Sequence, residues 1–258
     1  MSTEEEIQKN IESMAAIQDY LQKRTCVIFT KIDGKVDALG SGTILKIGEK
    51  YFVSTAAHVI NQSNPSQIRI GSELVNNQYF KITDYRYIGG GEEEKEDLAW
   101  FEVEPPNDGQ LTNIIFDSEF HTETKYYEDV YLISGYPECL IPARTSQNPH
   151  TLQIAHFFYQ TRLVDPEKWT REFDKDYNLL LEYKKEMVLP DNSLTRIPYA
   201  KGISGGGIWY YDQNTRKIRL TGIQIGWDGE NEIIYGIQIK HWLQYLHATK
   251  PEEKNGQY

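Results

Sequence analysis

From Cys26 onward the chain is a succession of short segments rich in valine, isoleucine, tyrosine and phenylalanine, cut at close intervals by glycine, asparagine, aspartate and proline. "CVIFTKI", "GTILKIGEKYFVST", "QIRIGSEL", "YFKITDYRYI", "LAWFEVE", "DVYLISGY", "TLQIAHFFYQTRLV", "GGIWYYD", "KIRLTGIQIGW" and "EIIYGIQI" all have strand composition. Asp33-Gly34 is a hairpin turn signal, and "IGEK" over 47–50 reads as a second. Many short strands separated by turn residues predict an all-β sandwich or barrel, with no fixed repeat period to suggest a propeller or solenoid.

The ends break this pattern. Residues 3–23 place Ile7, Ile11, Met14, Ala15, Tyr20 and Leu21 near one helical face, and Thr3 with Glu6 fits a capping box. The stripe fits a helix packed on its own domain or one that docks a regulatory protein partner. "KHWLQYLHATK" reads as a short terminal helix. Between the strands, residues 165–190 fit a helix, because Pro166 follows a good N-cap in Asp165, while their Tyr and Leu fit strand residues equally. "GGGEEEKED" reads as a solvated acidic loop whose last residue, Asp97, opens an apolar segment.

Composition narrows the function. A net charge of −11 over 258 residues argues against nucleic-acid binding. There is no apolar run of membrane-spanning length, and the acidic start lacks the pattern of a secretory signal. Two cysteines, Cys26 and Cys139, suit a reducing, cytoplasmic compartment better than a disulfide scaffold. Metal-ligand motifs such as paired CxxC or HExxH are missing, so neither metal nor other cofactor is expected.

Chemistry concentrates in "GISGGG", where Gly202, Gly205, Gly206 and Gly207 surround Ser204. Glycine costs backbone entropy, so four of them around one hydroxyl imply unusual backbone angles or a close approach. A serine nucleophile needs a base, a group that orients the base, and donors for the developing oxyanion. His58 follows the strand-like "FVSTAA" and has small neighbours. Asp97 lies at the edge of apolar residues.

"TAAH", "DLA" and "GISGG", in that order, resemble the trypsin-like (chymotrypsin-fold) serine peptidases over residues 24–240. The resemblance implies two six-stranded antiparallel β-barrels, the first over 24–128 with His58 and Asp97, the second over 129–240 with Ser204 and a 165–190 insertion. A helical extension (1–23) and a C-terminal helix and tail (241–258) would flank them. It implies a serine endopeptidase: Ser204 as nucleophile, His58 as base, Asp97 as its orienting carboxylate, and the N–H groups of Gly202 and Ser204 as oxyanion donors. Pro198, Tyr199, Gly226 and Gly236 would border the substrate pocket.

The chain departs from the family in two respects. The position before the serine, where secreted members carry an aspartate that receives a new N-terminal ammonium, holds Ile203, so activation by N-terminal insertion is not expected. The position near Pro198 where members cutting after Lys or Arg carry an aspartate is not acidic here, and Asp228, Glu230 and Glu232 after "GIQIGW" are the residues left to supply a charge from the loop. The expected role is an intracellular peptidase of bacterial style acting on a protein or peptide. The alternative is a catalytically silent barrel that binds proteins. An α/β-hydrolase reading, with Asp228 and His241, fails because "GGGIWYYD" after the serine is a poor helix start.

Overall fold

The computed structural model describes residues 3–32, 35–61, 63–71, 79–89, 96–104, 120–123, 129–140, 155–169, 173–188 and 193–248. The Asp33-Gly34 turn, Glu92, Glu93 and Glu94 of the acidic loop, the side chains of Thr3, Glu6, Ile7 and Ile11, and the tail beyond 248 lie outside them.

Two antiparallel six-stranded sheets form the body. The first contains β1 (Thr25–Ile32), β2 (Lys35–Ile47), β3 (Lys50–Thr55), β4 (Ile68–Gly71), β5 (Lys81–Gly89) and β6 (Asp97–Glu104), in the order β4-β1-β2-β3-β6-β5. The second contains β7 (Val130–Gly135), β8 (Phe157–Thr161), β9 (Asn178–Glu182), β12 (Gly207–Asp212), β13 (Lys217–Asp228) and β14 (Ile233–Gln238), in the order β8-β7-β12-β13-β14-β9. Strands β10 (Glu186–Val188) and β11 (Leu194–Arg196) pair as a small separate ribbon. Each sheet curls into a half-barrel. Its closing contacts include Phe80 N–H to Ile70 O in the first and Val164 N–H to Leu180 O in the second.

The alternation read from the sequence becomes inside and outside. On β1, Cys26 and Ile28 join the main core, while Val27 and Phe29 face the other way and pack with Tyr136. The main core is continuous between the sheets. Ile44, Val53, Leu98 and Phe101 of the first belong to the same buried cluster as Leu132, Trp209 and Ile223 of the second.

Residues 165–190 differ from expectation. Among its described residues a 3-10 turn, Pro166–Lys168, stands where the sequence fits a helix, and the segment then supplies β9, which pairs with β14. This stretch is therefore part of the second sheet rather than an appendage to it.

Helices tie the halves together. Helix α1 (Thr3–Gln22) buries Ile17 and Leu21, and Tyr20 meets Trp209 edge-on at 6.1 Å. The stripe is thus used within the chain. The short helix α2 (Ala57–Asn61) caps β3. Helix α3 (Ile239–Ala248) leaves the second sheet and lays Trp242, fully buried, edge-on against Phe52 (6.3 Å) and Trp100 (6.1 Å) of the first. No described helix is long and apolar enough to cross a membrane.

Candidate active site

Strand register places the first two residues. Thr55 at the end of β3 pairs with Ala99 of β6. His58 lies three residues beyond Thr55 and Asp97 two residues before Ala99, so antiparallel pairing sets them at the same end of the sheet. Asp97 grips His58 twice. Its Oδ1 accepts the His58 backbone N–H at 2.9 Å, and its Oδ2 lies 2.6 Å from the ring Nδ1. A carboxylate at Nδ1 fixes the proton there and leaves the lone pair on Nε2, the state a general base requires. The carboxylate is largely covered, with 14% of its side chain exposed, whereas the imidazole retains 34%. The pair is therefore sheltered behind and open in front.

Ser204 belongs to the loop entering β12, and that loop crosses to the first sheet. Its carbonyl accepts the Ser41 N–H at 2.8 Å, and the Gly205 carbonyl accepts from Thr43 Oγ1 at 3.2 Å. Gly205 has φ of +90° and its Cα faces Ser41 O and Thr55 Oγ1, so a side chain there would be strained and would collide. Gly40 lies between Val59, the neighbour of His58, and the Ser204 carbonyl. A Cβ on Gly40 would come within 2.9 Å of both. The structure thus brings Ser204 to the junction that holds the His58–Asp97 pair. The Ser204 hydroxyl makes no hydrogen bond to a described residue; such contacts commonly tighten only when substrate is bound.

The loop also orients its amides. Among the described residues no peptide bond is cis, so each N–H of this loop points away from the preceding carbonyl. The Lys201 carbonyl accepts from Glu138 N–H (2.8 Å), and the Ile203 carbonyl accepts from Gly206 N–H (2.9 Å). With those carbonyls tied down, the N–H groups of Gly202, at φ +93°, and Ser204 are directed the opposite way. Neither donates to a described residue. Two fixed, free donors beside a serine are the arrangement that stabilises an oxyanion.

The expected pocket residues have a different character. Tyr199 is 73% exposed and meets Trp227 edge-on at 6.2 Å, forming an aromatic ledge. The Pro198 carbonyl is bound by the Tyr183 hydroxyl at 2.7 Å. The space beside Gly226 is taken by the phenol of Tyr235, its direct partner across β13 and β14, and that beside Gly236 by Ile208. A direct cross-strand partner fills the first volume and a side chain from β12, two strands away, the second. Gln224, whose backbone bonds Gly205 and Gly206, is fully buried and donates its amide to the Gly226 carbonyl (2.9 Å).

Sequence reading missed Ser41, Thr43 and Thr55. Their signal was the pair "GSGT" and "VST", small hydroxyl residues in otherwise apolar strands. Among the described residues no group of three or more His, Cys, Asp or Glu is placed to hold a metal ion.

No family model matches the chain, and no curated protein sequence does. Solved structures do. A thermostable serine protease from an extremophilic microorganism aligns at 11% identity with a TM-score of 0.54, over 90% of this chain and all of that one. A scabies mite inactivated protease paralogue aligns at 17% identity with a TM-score of 0.55, over 90% of this chain and 97% of that one. The fold is that of the trypsin-like, chymotrypsin-fold peptidases: two curled six-stranded antiparallel sheets with few helices.

Proposed function

We propose that this chain is a serine endopeptidase that cleaves peptide bonds of a protein substrate. The observation that carries the reading is the double grip of Asp97 on His58, at the junction where the Ser204 loop docks. In the proposed reaction His58 Nε2 takes the Ser204 proton as Oγ adds to the scissile carbonyl. The N–H groups of Gly202 and Ser204 receive the oxyanion. Collapse of the tetrahedral adduct breaks the C–N bond, with the proton passing from His58 to the leaving amine. Water, deprotonated by the same imidazole, then releases the acyl group from Ser204. Asp97 holds the ring tautomer and stabilises the imidazolium throughout. Preorganised oxyanion donors contribute about 2.7–4 kcal/mol each to the transition state.

The reading extends to an enzyme without cofactor, working in a reducing interior where Cys26 and Cys139 remain free thiols. Nucleic acid is an unsuitable ligand for its acidic charge. The polar face of α1, with Glu12, Ser13 and Asp19 exposed, is left for a regulatory partner.

A second reading is a silent fold that binds proteins. It is favoured by the filling of the Gly226 and Gly236 spaces and by the inactivated paralogue among its structural neighbours. Labelling with a fluorophosphonate separates the two. Modification of the wild type that is lost in both Ser204→Ala and His58→Ala supports the peptidase. A folded wild type that stays unlabelled supports the binding module.

A further inference from the structure

The loop that carries Ser204 must keep its shape without the ion pair that an acidic residue before the serine would offer. Ile203 occupies that place and is fully buried in the second sheet's core, in the cluster of Tyr131, Ile133, Ala200 and Ile208. Its Cβ sits close over Gly135, at 2.8 Å from where a Cβ on that glycine would stand. Apolar burial anchors the middle of the loop but does not choose the direction of the peptide groups on either side.

One residue of the other sheet fixes the peptide groups that alternate with the two donor-bearing ones. Ser41, fully buried on β2, donates its backbone N–H to the Ser204 carbonyl at 2.8 Å and its hydroxyl to the Gly202 carbonyl at 2.8 Å. The same hydroxyl oxygen accepts the Tyr136 N–H at 2.8 Å, so it donates to one loop while accepting from another. The Ser41 carbonyl in turn accepts from Thr55 Oγ1 at 2.8 Å, close to where α2 and His58 begin. Ser41 therefore holds the Gly202 and Ser204 carbonyls and is itself held from the end of β7 and the end of β3.

Resting on the peptidase reading, we propose that Ser41 is the positioning residue of the oxyanion loop. Its hydroxyl, with the Ile203 anchor, keeps the Gly202 and Ser204 N–H groups aimed at the reacting carbonyl without proteolytic activation of the chain. Ser41 touches no reacting atom; it acts through the 202–203 and 204–205 peptide groups, which flank the 203–204 peptide that carries the Ser204 N–H. Losing the hydroxyl frees the 202–203 peptide, which links the two donor-bearing peptides, and the two donors lose their common aim. A misplacement of about 1 Å in such a site costs on the order of a hundredfold in rate.

The test uses the full chain as wild type, Ser41→Ala, Ser41→Thr and Ser204→Ala. Second-order fluorophosphonate labelling is followed across pH, and amide hydrogen exchange is read at Gly206 and Glu138, whose N–H groups hold the Ile203 and Lys201 carbonyls. The expected result is labelling about ten- to a hundredfold slower in Ser41→Ala, with the pH midpoint unmoved because the base is untouched. Exchange at Gly206 and Glu138 should quicken about tenfold while the sheet amides stay protected, and Ser41→Thr should restore most of both. Wild-type labelling rates in Ser41→Ala, or slower labelling with exchange unchanged, overturn the proposal. If the wild type itself fails to label, or Ser204→Ala labels equally, the peptidase reading falls. Exchange at Gly206 and Glu138 then still decides whether Ser41 holds the loop.

Discussion

Ile203→Asp restores the acidic residue that secreted relatives of this fold use, and here it should be badly tolerated. The side chain it replaces is fully buried among apolar neighbours, and loss of that burial costs about 1.5–3 kcal/mol. The introduced carboxyl would stay protonated in the folded chain. Holding it so at pH 7, against an unfolded-state pKa of about 3.9, costs about 4 kcal/mol more. The total is about 6 kcal/mol, a large part of the 5–15 kcal/mol that typically holds a domain folded.

The sign with pH follows from proton binding. Above about pH 4 the folded variant keeps a proton that the unfolded chain has released, so stability falls as pH rises. Urea unfolding at pH 5 and pH 7 should therefore differ by about 2.7 kcal/mol in the variant beyond any difference in the wild type. At pH 7 its midpoint should lie about 2–3 M urea lower. A variant with the wild-type midpoint and the wild-type pH response would refute the reasoning. It would mean that a cation reaches this position and that the loop has the ion-pair anchor denied to it here.

Other expectations are narrower. Burial lowers the His156 pKa to about 4, so its neutral state contributes stability in full above about pH 6.5, lost as pH falls towards 4; the contribution is about 3 kcal/mol, and His156→Phe should remove that much acid sensitivity from urea unfolding measured between pH 7 and 4. Trp242→Ala should cost about 3–5 kcal/mol in urea unfolding, since the indole is fully buried between Phe52 and Trp100; a loss below 1 kcal/mol would show that α3 does not clasp the first sheet. Tyr235→Ala clears the space beside Gly226, so in a peptide-library digest cleavage after large residues should rise relative to cleavage after small ones; an unchanged ratio would place the specificity pocket elsewhere.

The fold could be read from the strands because alternation and turn residues are local signals that tertiary packing reinforced. Residues 165–190 misled because their signal was real but short. Asp165 does cap a turn, accepting the Glu167 N–H at 3.0 Å. The path of the chain beyond that turn is set by distant residues: the run "NLLLE" is claimed by β14, and no local cue announces a partner more than fifty residues away. His58 and Asp97 were legible because the resemblance lay in contiguous residues, and register then brought them together. Ser41 was not legible. A serine between two glycines in a strand looks like a flexible spot, and its value comes from three partners distant in sequence. Gly226 and Gly236 misled for a related reason: a missing side chain predicts room, but the room belongs to whichever neighbour reaches it first, here Tyr235 and Ile208.

The docking of the Ser204 loop on β2 and β3 has a consequence for how such a chain is made. Ser41 leaves the ribosome 161 residues before the Gly202 carbonyl that it will hold. The nascent first sheet can bring a histidine and an aspartate together, yet it offers no nucleophile. The nucleophile emerges in turn with its amides unaimed until it finds that sheet. On the peptidase reading, neither half alone is a hydrolase. Competence arrives as a property of the closed seam, at the end of synthesis, so the growing chain passes through no stage at which a finished cutting edge lies beside its own unfolded remainder.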